Sequence, residues 1–373
     1  MSPRILEEGR SAEPTGGTPR GSTVGSTPVD GVRMDRALGL AARSPLADPN
    51  PRVGCVLIAD DGRIVGEGWH HGAGTPHAEV DALSAAGPDA AGATAYVTLE
   101  PCNHYGRTGP CAQALLRADV RRVVYAQADP NPPASGGAAT LAAGGVEVLG
   151  GVRVGEAARL NEAWTFSVTR GRPFVSWKVA GTLDGRAAAA DGTSAWITGP
   201  QARLDVHRLR SDCGAIMVGT GTVIADDPRL TVRRPDGTNA PRQPVRVVVG
   251  HRDIPGDARV LSSEAPTLLL REDPVGVLAR LQEAGIRHVW LEGGATLAAA
   301  FLTAGLIDEI VAYIAPALLG SGPPLVGGLG IATLADAHRY ALVDVTRLGD
   351  DVRLTLRPLP DPSEPQQPNP GKE

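Results

Sequence analysis

The sequence lacks the features that mark three broad classes of protein. Four cysteines in 373 residues are too few for a disulfide scaffold, and a reducing cytosol would keep them as thiols. No run of about 18 apolar residues is present that would span a bilayer. The formal net charge of -5 offers no basic field to nucleic acid or to an anionic membrane. A small-molecule substrate is therefore favoured over a polymer.

Both ends of the chain are poor in apolar residues. Residues 1–31 are rich in Gly, Thr, Ser and Pro without apolar periodicity, which predicts a disordered leader, and Met34 is a candidate for the true start. The first residues contain no apolar core typical of a secretory signal, so we expect a cytoplasmic protein. Residues 359–373 predict a disordered tail.

Short apolar strands alternate with helical patterns between these ends. The alternation predicts α/β sheets covered by helices, and the length of 373 residues exceeds what one core usually serves. The interpretation is a first α/β domain at 32–150, a linker helix at 151–172 and a second α/β domain at 173–358. Within the first domain, an Asp-Gly pair at 61–62 predicts a hairpin turn.

The first domain contains three residues whose side chains can act as soft metal ligands. His77 stands in "HAE", Cys102 ends "EPC", and Cys111 closes the loop that follows. Imidazole and thiolate together favour zinc over hard cations, and three protein ligands leave a fourth position for water. This pattern predicts one catalytic zinc ion, although each residue alone is more often an unrelated core or surface residue.

Glu79 follows His77 by two residues, at the expected first turn of a helix. A carboxylate there reaches a zinc-activated water without ligating the metal and can shuttle protons, as hydrolytic deamination requires. Zinc deaminases share a non-ligand Glu and paired cysteines, but here eight residues separate the cysteines. A thiolate nucleophile at Cys102 is the alternative, and His104 is a less favoured substitute ligand.

These segments resemble the deaminase half of the bifunctional riboflavin-biosynthesis deaminase-reductases. The matching motifs are "DPNPRVGCVL" (48–57), "HAEV" (77–80), "AYVTLEPC" (95–102) and "HYGRTGPC" (104–111). The resemblance implies a cytidine-deaminase-like α/β/α sandwich. It also implies deamination of 2,5-diamino-6-(5-phosphoribosylamino)pyrimidin-4(3H)-one to 5-amino-6-(5-phosphoribosylamino)uracil.

The second domain resembles the reductase half of the same family. The matching motifs are "KVAGTLDGRAA" (178–188), "SAWITG" (194–199), "VHRLRS" (206–211), "VGTGTVIADDPRLTVR" (218–233) and "LEGGATLAAAFLTAGLIDEI" (291–310). The resemblance implies a dihydrofolate-reductase-like α/β fold, NADPH as cofactor, reduction of the ribosyl group to ribityl, and a homo-oligomer. Each glycine pair alone fits a strand-to-helix turn as well as a phosphate site.

The resemblance also implies site residues in the second domain. Cofactor contacts are expected at Ala180, Trp196, Thr222, Asp226, Glu292, Gly293 and Gly294. Substrate contacts are expected at Ser194, Arg210, Leu230, Arg233 and Glu292, and the arginines suit a ribose phosphate. Asp226 is the candidate for the polar catalytic role, and Lys178 is a further carry-over.

The sequence departs from the family pattern at three places. Gly109 stands where the family has proline, the stretch after Asn131 differs, and Cys213 is an isolated cysteine expected in the core. Two other functions remain open from the residues: a zinc-dependent nucleotide deaminase with a non-catalytic second domain, and a zinc-stabilised binding protein that does not need Glu79.

Overall fold

The computed structural model describes residues 26–105 and 109–359, and two β-sheets organise them. One sheet lies in each half of the chain, and helices cover both. This two-domain α/β architecture confirms the predicted fold class. In the described part of the chain, no helix is both long and apolar enough to cross a membrane.

The first sheet has five strands. They are β1 (Gly54–Ile58), β2 (Ile64–Trp69), β3 (Thr94–Leu99), β4 (Arg122–Gln127) and β5 (Glu147–Gly150). Their order is β2-β1-β3-β4-β5, with β1 antiparallel to both neighbours and β3, β4 and β5 parallel. The predicted hairpin of β1 and β2 is confirmed, and the carboxyl ends of β3 and β4 lie side by side.

Helices pack on both faces of this sheet and make a three-layer sandwich. They are α1 (Pro28–Ala41), α2 (Ala78–Ala86), α3 (Cys111–Arg117), α4 (Gly137–Ala143) and α5 (Val154–Leu160). Small residues such as Ala78 and Ala82 bring α2 close to the sheet. Met34 and Ala37 of α1 pack on the opposite face. Alternating side chains of each strand supply the two cores.

The first helix begins earlier than predicted. It starts at Pro28, so the predicted leader of residues 1–31 is too long, and Met34 lies inside the helix. Thr27 and Asp30 form a capping box at its start. The Asp30 carboxylate also accepts hydrogen bonds from Tyr96 and Arg122, which fixes this end to the sheet. The remainder of the leader and residues 360–373 lie outside the described residues.

The predicted linker helix at 151–172 is wrong in form, because the segment contains two helices. These are α5 and α6 (Glu162–Arg170), which meet at Asn161. The Asn161 side chain accepts from the Arg52 N–H and donates to the Arg52 carbonyl. A side chain used for this long-range pairing explains the break, since Asn readily leaves helical geometry for such bonds.

The second sheet has eight strands. They are β6 (Phe174–Thr182), β7 (Ala215–Gly219), β8 (Val245–Val249), β9 (Thr267–Leu270), β10 (His288–Leu291), β11 (Glu309–Ala315), β12 (Tyr340–Leu348) and β13 (Asp351–Pro358). The order is β12-β13-β11-β6-β10-β7-β8-β9, parallel from β11 to β9. The carboxyl ends of β6, β10 and β7 therefore share one edge, where open α/β sheets bind ligands.

The helices of the second domain cover both faces of its sheet. They are α7 (Pro200–Ser211), α8 (Thr220–Asp226), α9 (Pro274–Glu283) and α10 (Ala295–Thr303). The sequence interpretation did not include α8, α9 or β12. A start signal for α9 is present, since Asp273 caps the helix by accepting from the Gly276 N–H and Pro274 follows at its first position.

Candidate active sites

The three predicted metal ligands converge in the first domain. His77 precedes α2, Cys102 follows β3, and Cys111 begins α3. Their ligand atoms all lie within 4.8 Å of one another. The His77 Nδ1 atom is 3.6 Å from the Cys102 Sγ atom and 3.3 Å from the Cys111 Sγ atom. This nitrogen and sulfur donor set fits a tetrahedral zinc ion.

The environment of the triad favours a thiolate on Cys102. Hydrogen bonding from Cys111, together with the nearby His77, lowers the pKa of Cys102 to about 4. The same contact and burial raise the pKa of Cys111. The hydrogen bond with Cys102 raises the pKa of His77. Of the two sulfurs, Cys102 is therefore the one that more readily takes the charged form that a metal ligand requires.

Glu79 lies in the first turn of α2, directly beside the triad, as predicted. Its side chain is buried, with 4% of its surface exposed. Burial, with the nearby Cys102, raises the pKa of Glu79 to about 7. A carboxyl group of that pKa both takes and returns protons near neutral pH.

A cavity of about 210 Å³ opens beside the triad. Two copies of the sequence "DPNP", at 48–51 and 129–132, form part of its wall. In each copy the Asp side chain accepts from the backbone N–H of the Asn two residues later, so that Asn50 and Asn131 are held by the same turn. Sequence reasoning did not assign these asparagines to the site, although the repeated tetrapeptide was a signal for them.

Other lining residues come from distant parts of the chain. His70 and His104 line the cavity from the first domain, Trp164 and Val168 from α6, and Arg287 from the second domain. His104 is absent from the metal-ligand group found among the described residues. No pattern in the sequence pointed to Trp164 or Arg287, because each is brought there only by the packing of the two domains.

The second site lies at the carboxyl edge of β6, β10 and β7. Ala180 is near the end of β6, Thr222 lies in α8 after β7, and Gly293 and Gly294 follow β10. A Cβ atom placed on Gly294 would be 3.7 Å from the Thr222 Oγ1 atom, so these two segments adjoin. Gly294 precedes α10 without a side-chain cap, which leaves backbone N–H groups suited to a phosphate.

The carboxylate of Glu292 is held by three hydrogen bonds from two side chains. It accepts from Arg210 through Nε and Nη2 and from the Trp290 indole at 2.7 Å. Burial opposes ionisation, but Arg210 dominates and lowers the pKa of Glu292 to about 2. Arg210 also donates to the Thr231 carbonyl, so its main partners are protein groups. Lys178 lies nearby, and burial lowers its pKa.

The other expected contacts of the second domain lie at different depths. Leu230 is buried, whereas Ser194, Trp196, Asp226 and Arg233 are exposed. The Trp196 ring is 73% exposed. Asp226 ends α8 one helical turn after Thr222. The structure thus brings Thr222 next to the glycine segment that follows Glu292.

The Arg233 backbone is also fixed by a residue that sequence reasoning did not assign. Its N–H donates to the His207 Nδ1 atom at 3.2 Å. Burial and the charge of Arg210 lower the pKa of His207 to about 4. A neutral imidazole that accepts at Nδ1 carries its proton on Nε2. Cys213, expected in the core, is fully buried.

Comparisons with known proteins agree with both halves. Residues 29–127 match the cytidine and deoxycytidylate deaminase zinc-binding region, and residues 173–354 match the RibD C-terminal domain. Riboflavin biosynthesis protein RibD of Mycobacterium tuberculosis is 50% identical over 331 residues, covering 87% of this chain and 97% of that protein. The Escherichia coli protein of the same name is 44% identical over 363 residues, covering 88% and 99%.

Solved structures show the same two-domain arrangement. RibD of Acinetobacter baumannii superposes with a TM-score of 0.82 at 42% identity, covering 89% of this chain and 99% of that chain. A deaminase/reductase from Thermotoga maritima superposes with a TM-score of 0.79 at 32% identity, covering 88% and 99%. The chain therefore belongs to the RibD family and is a bifunctional enzyme of riboflavin biosynthesis, with a zinc-binding deaminase domain followed by a reductase domain.

Proposed function

We propose that this chain deaminates 2,5-diamino-6-(5-phosphoribosylamino)pyrimidin-4(3H)-one and then reduces the ribosyl group of the product to ribityl with NADPH. The similar Thermotoga maritima protein is named diaminohydroxyphosphoribosylaminopyrimidine deaminase/5-amino-6-(5-phosphoribosylamino)uracil reductase. The observation that carries the proposal is the buried Glu79 beside three converging zinc-ligand atoms. The deaminase is assigned to residues 28–150, starting with α1, and the reductase to 173–358.

In the deaminase, one zinc ion would be held by His77, Cys102 and Cys111. Zinc, when bound, acidifies a water molecule and so supplies the nucleophile. Glu79 accepts the proton at its carboxylate and returns it to the substrate as ammonia leaves, which its pKa of about 7 permits. The side-chain amides of Asn50 and Asn131 each offer a donor and an acceptor to the edge of the pyrimidinone.

In the reductase, NADPH supplies the reducing equivalents when bound. Ala180, Trp196, Thr222, Gly293 and Gly294 border the dinucleotide, and the amino end of α10 receives one of its phosphates. The glycines matter because a Cβ on Gly293 would lie 2.8 Å from the Leu297 side chain.

Substrate groups of the reductase are oriented by charged and polar side chains. Glu292, held by Arg210 and Trp290, accepts from ribose hydroxyl groups. Arg233 contacts the ribose phosphate, with Ser194 and Leu230 beside it. Asp226 is the proposed polar catalytic residue, and Lys178 is a second charged group close to Glu292.

We further propose that the enzyme is a cytoplasmic homo-oligomer. All four cysteines are free thiols, as a reducing compartment allows. The edge strand β12 exposes three apolar side chains, namely Leu342, Val343 and Val345, by 58%, 53% and 57%. An apolar edge strand is a pairing surface, and a second copy of the chain is the proposed occupant.

The experiment that tests the proposal supplies the purified protein with the diaminopyrimidinone ribosyl phosphate and NADPH. Ammonia release and the absorbance of the reduced nicotinamide are followed together. We expect ammonia first and NADPH oxidation after it, in equal amounts. Ammonia without NADPH oxidation would contradict the second step, and loss of both signals would contradict the proposed substrate.

A further inference from the structure

Acidic side chains outnumber arginine and lysine side chains in the lining of the deaminase cavity. Glu79, Glu100 and Asp129 place three carboxyl groups along it. Burial raises the pKa of Asp129 to about 6, so a large part of that group stays ionised at neutral pH. The proposed substrate carries a phosphate monoester, which carboxylates would repel in a partly enclosed site. A cationic side chain that faces the phosphate, in addition to the zinc site, would therefore favour binding.

Arg287 supplies such a side chain from the other domain. Among the described residues that line the cavity, it is the one arginine or lysine. It lies in the segment between α9 and β10 and is partly buried. Within the described residues no carboxylate pairs with it. An arginine so placed, with no partner charge of its own, is suited to a phosphate.

Two carbonyl groups fix the orientation of the Arg287 guanidinium. Its Nε atom donates to the Pro49 carbonyl at 3.3 Å, and its Nη1 atom donates to the Gln282 carbonyl at 3.5 Å. In the described part of the chain these contacts leave the Nη2 group for an anion. Pro49 belongs to the first "DPNP" turn, so the arginine touches the same wall that carries Asn50.

Side-chain hydrogen bonds and an ion pair hold α6 against the second domain close to Arg287. Gln282 of α9 accepts from the Ser167 hydroxyl of α6 at 2.7 Å. Arg357 of β13 binds the carboxylate of Glu162, at the start of α6, with both terminal nitrogens. The same helix presents Trp164 to the cavity. The second domain and α6 together thus form one side of the deaminase site.

We propose that Arg287, a residue of the reductase domain, is a substrate-binding residue of the deaminase and receives the phosphate of its substrate. The inference rests on the proposed function, because it takes the phosphoribosyl group from the proposed substrate. It assigns to the second domain a role in the first reaction that is separate from reduction. The deaminase site is then complete only when both domains are docked.

The test measures both reactions in full-length Arg287→Met and Arg287→Lys variants. Arg287→Met should raise the KM for ammonia release by about tenfold or more with a smaller change in kcat, and Arg287→Lys should recover part of the loss. Inhibition of ammonia release by ribose 5-phosphate should weaken in parallel. The KM for reduction, measured with the deaminated intermediate, should stay unchanged. Arg280→Met, at an exposed ion pair of α9, is the matched control.

Three outcomes would overturn the inference. They are an unchanged deaminase KM in Arg287→Met, an equal rise of KM in both reactions, and a raised deaminase KM with unaltered inhibition by ribose 5-phosphate. The last result would make Arg287 a wall residue without a phosphate contact. Absence of ammonia release in the unmodified protein would instead contradict the proposed function, so the two failures are distinguishable.

Discussion

Two glycines close to the zinc ligands differ in what a side chain would meet. A Cβ on Gly109 would have no heavy atom within 4 Å, whereas a Cβ on Gly137 would lie 1.7 Å from the Pro101 carbonyl oxygen. Gly137 has no positive φ, so the lack of space is what excludes a side chain there. The space around Gly109 therefore admits a side chain there.

We predict that Gly109→Ala leaves ammonia release intact and raises the free energy of unfolding by about 0.4 to 1 kcal/mol, because alanine restricts the unfolded chain. Gly137→Ala should lower the free energy of unfolding, because the backbone at Pro101 must move to admit the methyl group. Denaturant unfolding of the two variants gives the comparison. A loss of stability in Gly109→Ala as large as that in Gly137→Ala would contradict the packing.

The sequence predicted the residues that carry chemistry better than those that shape the cavity. His77, Cys102, Cys111 and Glu79 stand out because metal ligands and a proton carrier need particular residue types at close spacing. Arg287 has no such signature, since its place in the cavity depends on how the two domains dock. Reasoning from one residue at a time cannot supply that docking.

At the scale of secondary structure, the buried parallel strands could be predicted from the sequence. The edge strand β12 and the helix break at Asn161 could not. "VRVVV" of β8 is buried along nearly its whole length, and its four valines are typical of such strands, although the buried Arg246 interrupts the apolar run. The sequence of β12 mixes Asp, Thr and Arg with Leu and Val, because this edge strand is largely exposed. The break of the linker at Asn161 depends on a partner, Arg52, that is distant in the sequence.

The start of α1 provides a prediction about stability and pH. Burial opposes ionisation of Asp30, but hydrogen bonds from Arg122, Thr27 and Tyr96 dominate and lower its pKa well below the usual range. The Asp30 and Arg122 side chains are 2% and 14% exposed. Asp30→Ala should therefore cost about 3 kcal/mol of unfolding free energy. Asp35→Ala, which breaks an exposed pair on the same helix, should cost less than about 1 kcal/mol.

The sign of the pH effect follows from the lowered pKa. The stabilisation by Asp30 is fully present above the unfolded-state pKa of about 3.9, and it is lost as pH falls through the folded-state value. The difference in unfolding free energy between the unmodified protein and Asp30→Ala should thus become smaller below about pH 4. Chemical unfolding of both proteins at several pH values measures this difference. A difference that grows on acidification would contradict a lowered pKa of Asp30.

At the scale of the whole molecule, the edge strand β12 predicts self-association. Replacing Val343 and Val345 by Asp places charge on the exposed apolar surface, which a partner copy could not bury without a large cost. We expect the double variant to sediment as a smaller species than the unmodified protein and to keep its fold. Identical sedimentation of both proteins would place the subunit contact elsewhere.

The two sites of the chain act in sequence, which makes Glu79→Gln the most direct test. The variant should bind zinc as the unmodified protein does, because Glu79 is beside the ligand set and outside it. Ammonia release should fall by about 100-fold or more, and NADPH oxidation from the diaminopyrimidinone should fall with it. Supplying the deaminated intermediate should restore NADPH oxidation fully. Undiminished ammonia release by zinc-loaded Glu79→Gln would contradict the account.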